Sequence, residues 1–193
     1  TYPITVSGTT APNYTLVPFD GVLTVTKTPL LITAADKSRT FGAANPPLTA
    51  EYTGFVIGED ESALTAAVSL STMATPSSAP GTYAITASGA SSTNYEITHA
   101  NGTLTVEQAM LRIRANDATR LYGDANPAFG VTYVGFAPGD DEGVLDEPVV
   151  VSTAATPGSP VSAYNITPSN ASAANYTIAF ENGTLTVNPA PLS

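Results

Sequence analysis

The stretch Arg39-Thr40-Phe41-Gly42-Ala43-Ala44-Asn45-Pro46 decides the fold, because the chain uses it twice. It returns 81 residues later as Arg120-Leu121-Tyr122-Gly123-Asp124-Ala125-Asn126-Pro127. The same offset carries Tyr52, Gly54, Phe55 and Gly58 onto Tyr133, Gly135, Phe136 and Gly139. It also carries Asn94-Tyr95 onto Asn175-Tyr176, and Asn101-Gly102-Thr103-Leu104-Thr105-Val106 onto 182–187. Segments 30–110 and 111–191 agree at about half of their 81 positions without a gap. Stepping back by the same interval, Tyr83, Ile85, Asn94, Tyr95, Gly102, Leu104 and Val106 fall on Tyr2, Ile4, Asn13, Tyr14, Gly21, Leu23 and Val25. The chain therefore reads as a tandem array. Residues 1–29 are the C-terminal part of one repeat, 30–110 a whole repeat, and 111–193 a second.

Each unit of about 80 residues is large enough to bury a modest core. Gly and Pro are frequent and the apolar runs short, so many turns and a mostly β chain are expected. Sixteen acids against six cations give a formal charge of −10. That balance disfavours nucleic acid and anionic membrane as partners, since both need a basic footprint. There is no Cys, so no disulfide staples the units. No run approaches the roughly 18 apolar residues of a membrane span. The start in mid-repeat, without a signal peptide, suggests a piece excised from a longer protein.

In chain order, Tyr2, Ile4 and Val6 alternate with polar residues, as a strand with one buried face does. A second strand is expected from Asn13. Asp20-Gly21, Asn101-Gly102 and Asn182-Gly183 suit a type I′ hairpin turn. In a whole unit, strands are expected at 30–34, 48–55, 68–72, 82–88, 95–98 and 103–107. Residues 58–67, acidic at the front and with Ala63, Leu64 and Ala67 on one face, read as one short helix. The joints at 26–29, 106–111 and 188–191 hold no Gly/Ser spacer, and Pro stiffens two of them. Short stiff joints would string the units end to end as a rod.

Three motifs carry a resemblance. They are Ile-Thr-Ala-x-Asp-x-x-Arg-x-Phe-Gly-x-Ala-Asn-Pro from Ile32, Tyr-x-Gly-Phe-x-x-Gly-Glu-Asp from Tyr52, and Asn-Tyr-x-Ile from Asn94 with the Asn-Gly-Thr-Leu-Thr-Val run from Asn101. Together they resemble the MBG repeat of the YGX type, found in tandem in long secreted bacterial proteins, many of them surface or biofilm-matrix adhesins. Phe41 stands where the family usually has Tyr, and Leu111-Arg112-Ile113-Arg114 is an unusual first strand. The resemblance implies an α+β, β-grasp-like unit in which mixed strands grip one helix, and an extracellular or cell-surface setting.

The sequence offers little chemistry. His99, the one histidine, becomes Phe180 in the next unit, so it reads as a strand-face residue. Ser and Thr have no recurring His or Cys with which to build a nucleophile, and the glycines are dispersed at turns, with no phosphate-binding loop. No catalytic, cofactor-binding or metal residue is assigned and no cofactor is expected. The acids Glu59-Asp60-Glu61 and Asp140-Asp141-Glu142 leave calcium open near Asp60 and Asp141, although acids at a helix start need no metal. The recurring Tyr52, Phe55, Tyr83 and Tyr95 fit core packing better than a sugar platform. Asp36 with Arg39, and Asp117 with Arg120, read as local ion pairs fixing a turn. Asn-x-Ser/Thr triplets at Asn13, Asn101, Asn165, Asn170, Asn175 and Asn182 are explained by turn geometry.

The expected function is thus a non-catalytic stalk or fibre segment of a long extracellular bacterial adhesin or matrix protein. Its partners would be neighbouring repeats of the same chain. A glycan- or glycoprotein-binding module is the first alternative, with surface glycans as partners. A filament subunit assembling through strand exchange is the second, because residues 1–29 offer strands without their other half.

Overall fold

The computed structural model describes residues 1–8 and 10–191. The chain is mostly β and carries two tandem repeats. Ahead of them lie β1 (Tyr2–Ile4) and β2 (Gly21–Leu23). The first repeat contains β3 (Thr28–Ala34), β4 (Lys37–Thr40), β5 (Ala50–Thr53), β6 (Ser69–Thr72), β7 (Gly81–Ser88), β8 (Tyr95–Ala100) and β9 (Gly102–Glu107). The second repeats that order: β10 (Ala109–Ala115), β11 (Ala118–Leu121), β12 (Val131–Val134), β13 (Val150–Thr153), β14 (Ala163–Ser169), β15 (Tyr176–Glu181) and β16 (Gly183–Asn188).

The chain packs as two compact units. One comprises Thr1–Ala34, Thr49–Leu70 and Thr86–Asn101; it holds the β1-β2 pair and a three-stranded sheet ordered β5-β3-β8. Leu30, Ile32 and Tyr95 form its core, with Tyr52, Phe55, Leu64 and Ile97 against them. The other comprises Ala35–Leu48, Ser71–Ile85 and Gly102–Ser193. Most of the first repeat's four-stranded sheet, ordered β4-β9-β7-β6, lies there together with the whole second repeat. The division thus runs through the first repeat. The physical reason is that β9 passes into β10 across a single residue, Gln108. Phe41, Val106, Leu111, Ile113 and Tyr176 then close into one cluster around that passage.

The second repeat shows how the sequence builds a unit. A sheet ordered β12-β10-β15 and another ordered β11-β16-β14-β13 share the chain's two crossings. Along β10, alternate residues turn inward, as a strand with one buried face must. Leu111 and Ile113 meet Tyr133, Phe136, Leu145 and Tyr176, while Ala115 meets Ile166 and Leu185. β10 pairs in parallel with β15, and β11 in parallel with β16.

Asn182-Gly183 does not make the expected hairpin. β15 and β16 belong to different sheets, and neither residue has the positive φ of a type I′ turn. The dipeptide is where the chain crosses between sheets. Gly is required there because a Cβ on Gly183 would lie 2.4 Å from the Ala115 carbonyl oxygen. Asp117, at the other crossing, accepts from the Thr184 amide at 2.8 Å and staples the two passages together. Asp36 does the same for Thr103 at 2.7 Å.

The expected short helix over 58–67 is corrected to a three-residue 3-10 turn, Glu61–Ala63, echoed at Glu142–Val144. No helix is present among the described residues for a β-grasp sheet to grip. Asp60 does cap the turn, accepting from the Ser62 amide at 2.9 Å. Leu64, however, is already extended, and the Thr65 amide donates to the Ser91 carbonyl at 2.8 Å. One turn cannot repay helix nucleation when the next residues gain a cross-chain bond by leaving it. In the second repeat Gly143, Val144 and Pro148 weaken helix further.

The leading segment departs from expectation as well. β1 and β2 pair in the register of the whole repeats: Tyr2 faces Leu23, as Tyr83 faces Leu104 and Tyr164 faces Leu185. Yet no face of β1 is buried, and Asn13-Tyr14-Thr15-Leu16 is not a strand. Whole repeats flank this pair with counterparts of β4 and β6, which residues 1–29 do not contain.

Candidate functional site

Two constructions recur in each repeat, and neither presents reactive groups to solvent. The first is built on the opening motif. β4 and β11 turn one side chain inward, and it is arginine: Arg39 is 8% exposed and Arg120 6%. The Arg120 Nε donates to Asn126 Oδ1 at 2.8 Å, and its guanidinium also donates to the Leu121 and Thr156 carbonyls. Asn126 Nδ2 donates onward to the Ala155 carbonyl at 2.7 Å. Arg39, Asn45, Thr40, Thr75 and Ala74 repeat the arrangement. A planar five-donor group suits such a fork of fixed acceptors.

Arg39 and Arg120 are therefore not the ion-pair partners expected for Asp36 and Asp117, whose carboxylates hold the crossing amides. Among the described residues the ion pairs are Arg112 with Glu181 and Arg114 with Asp117, all well exposed. They contribute little to stability.

The second construction is an aromatic column ending in a tyrosine hydroxyl. Tyr133 lies beside Phe136, and Phe136 meets Tyr176 edge-on at 5.7 Å. The Tyr176 hydroxyl accepts from the Ala137 amide at 2.9 Å and donates to an Asp140 carboxylate oxygen. Burial first, and then that carboxylate, push the Tyr176 pKa above the ordinary 10.0. In the first repeat Tyr52, Phe55 and Tyr95 form the same column, with Val56 and Glu59 at the Tyr95 hydroxyl. Here the Glu59 carboxylate is the leading cause of the raised tyrosine pKa. Tyr95 and Tyr176 are 2% and 3% exposed, so neither ring face is open to a sugar.

Sequence reasoning missed what sits on Tyr176. Phe41, from the recurring motif, packs edge-on against it at 5.6 Å and is 9% exposed. Gly42 follows at φ +80, and a Cβ there would come within 2.5 Å of the Ala137 Cβ. An aromatic followed by glycine is thus the plug of a joint: the ring fills it and the bare backbone lets Ala137-Pro138 approach. Gln108 ties the passage down, donating to the Ala174 carbonyl at 2.9 Å and accepting from Thr177 Oγ1 at 3.0 Å. The available signal was an aromatic in a turn otherwise made of small residues.

The remaining candidates stay apart. His99 lies on β8 opposite Ile32. Asp60 and Asp141 cap their 3-10 turns. Among the described residues, no three His, Cys, Asp or Glu side chains converge as a metal set. No helix among them is long and apolar enough to cross a membrane.

The recurring arginine network and sheet crossings lie within two stretches that match a family model. The profile of the MBG domain (YGX type) matches residues 30–105 and 111–186. The chain belongs to that family. No similar protein is found among curated sequences. The two MBG matches run from β3 into β9 and from β10 into β16, so Gln108 falls between them.

Proposed function

We propose that these MBG repeats are a structural stalk segment of a long bacterial surface or matrix protein, holding another part of that protein outward without catalysis. One observation carries the reading. The residues the repeats share are engaged internally: Arg120 and Asn126 in a buried network, Asp117 at the crossing, and Tyr176 at the joint. The direct passage from β9 to β10 supports a joint that transmits force. Small-angle scattering tests it: the curve should fit one fixed inter-repeat geometry at all salt concentrations. A curve needing an ensemble of freely hinged beads would remove the stalk reading.

Assembly through strand exchange is the second reading, favoured by the apolar surface on residues 1–29. Tyr14, Phe19, Val22 and Val25 are each at least two-thirds exposed, and exposed strand edges recruit further strands. The glycan-binding alternative has less support, because the recurring rings are packed in the aromatic columns. A glycan array would restore it if binding disappeared in Tyr133→Ala while the fold survived.

A further inference from the structure

β13 is an open sheet edge. It lies outermost in the sheet ordered β11-β16-β14-β13, with β14 on one side only. In the first repeat β6 lies outermost in the same way with a whole repeat following it, so the openness belongs to the repeat itself. Which backbone groups are free can be read from β14. The Val187 amide donates to the Ser162 carbonyl at 2.9 Å, so Tyr164 and Ile166, in the same alternation, turn their backbone groups toward β16. Thr167 and Ser169 therefore turn theirs toward β13, where Ser152 and Val150 receive them. Pro168, opposite Val151, has no amide to donate and fits that alternation. The amides and carbonyls of Val151 and Thr153 are left at the open edge. Neighbouring hydroxyls are committed elsewhere. Thr153 Oγ1 donates to the Asn165 carbonyl at 2.8 Å and accepts from the Ala155 amide at 3.3 Å, while Ser169 Oγ donates to the Val150 carbonyl at 3.3 Å.

We propose that β13 pairs antiparallel with β13 of a second copy of this chain, about a two-fold axis at Ser152. In that register Val151 of each copy exchanges both its backbone bonds with Thr153 of the other, so every free group on the two edges is used. Ser152 faces its own twin, and Val150, which is 50% exposed, faces Ala154. The occupant follows from the edge. The run 149–153 is β-branched but for Ser152 and holds no charge or proline, the usual devices that blunt an edge. It offers nothing for a charged strand to pair with, while its own pattern matches itself. Asp146 and Glu147 fall opposite Gly158 and Pro157, so two chains of charge −10 meet without like charges directly opposed. The pairing goes beyond the stalk reading, which stands whichever way the test falls.

The test uses the whole chain, by sedimentation equilibrium and amide exchange. A short edge predicts a dimer with Kd on the order of 1 mM or tighter, and added salt should tighten it by screening the like-charged chains. In the monomer Val150 and Ser152 amides are protected while Val151 and Thr153 exchange; in the dimer that alternation disappears, with Val151 and Thr153 slowed on the order of tenfold at concentrations well above Kd. Ser152 is exposed, so Ser152→Lys and Ser152→Glu leave the monomer folded, which continued protection at Val150 verifies. Each variant alone sets like charges against each other at the axis and should weaken the dimer on the order of tenfold or more, and an equimolar mixture of the two should restore it. A chain still monomeric at several times the expected Kd would overturn the proposal. So would a dimer in which Val151 and Thr153 exchange as freely as before, since another surface would then hold it. Lysine and glutamate variants that each dimerise like the unaltered chain, or a mixture that stays monomeric, would equally overturn it.

Discussion

Replacing Asn126 by alanine tests the buried arginine network most sharply. Asn126 accepts from Arg120 Nε at 2.8 Å and donates to the Ala155 carbonyl at 2.7 Å. Arg120 is 6% exposed, so water cannot readily replace the lost acceptor. A hydrogen bond to a charged group contributes about 1.5–3 kcal/mol, and a stranded buried carbonyl costs about 1–3 kcal/mol. The expected loss is about 3–5 kcal/mol, a large part of the roughly 5–15 kcal/mol available to a small domain. Urea unfolding followed by a second-repeat probe should show a lower midpoint with unchanged slope. Asn126→Asp is the informative companion. It supplies a carboxylate to Arg120 but turns a second oxygen toward the Ala155 carbonyl, so a smaller loss of about 1–3 kcal/mol is expected. If Asn126→Ala costs less than about 1 kcal/mol, the network does not hold the repeat and the reasoning is wrong.

Two further outcomes follow from the same geometry. Gly135 has φ +112, and a Cβ would sit 2.3 Å from the Met110 carbonyl oxygen. Gly135→Ala should therefore destabilise by more than about 2 kcal/mol, whereas Gly139→Ala, at φ +94 with open space, should cost only the backbone strain of about 1–2 kcal/mol; paired urea melts compare them. Tyr176 has its pKa raised by burial and by Asp140, so the folded state holds the phenolic proton longer than the unfolded chain. Its contribution is complete below about pH 10 and is lost as pH rises from there through the folded value. A ring-resonance titration should place Tyr176 above an exposed tyrosine, and Tyr176→Phe should flatten the alkaline fall in stability.

How legible this was in the sequence depended on what each strand turns inward. Leu30, Ile32 and Ala34 alternate with more exposed residues, so β3 was readable. β4 was not, because Lys-Ser-Arg-Thr contains no apolar residue and its buried position is an arginine. The Asn-Gly dipeptide marked a break between strands and not the expected hairpin, because a glycine demanded by close approach reads the same as one demanded by a turn. The short helix was misjudged because its acidic start is a genuine cap, while the competing bond to Ser91 comes from 26 residues away. The repeat itself was fully legible. The joint was not, because Phe41 and Tyr176 lie in different repeats and only the fold brings them together.

The central claim is that the repeats contribute fixed shape, locked where Phe41 meets Tyr176. Residual dipolar couplings on amides of β4 and β9, compared with those of β10, β11, β14 and β16, test it most directly. All should fit a single alignment tensor, and Phe41→Ala, which removes the plug, should split it in two. Separate tensors in the unaltered chain, or a single tensor that survives Phe41→Ala, would contradict the account.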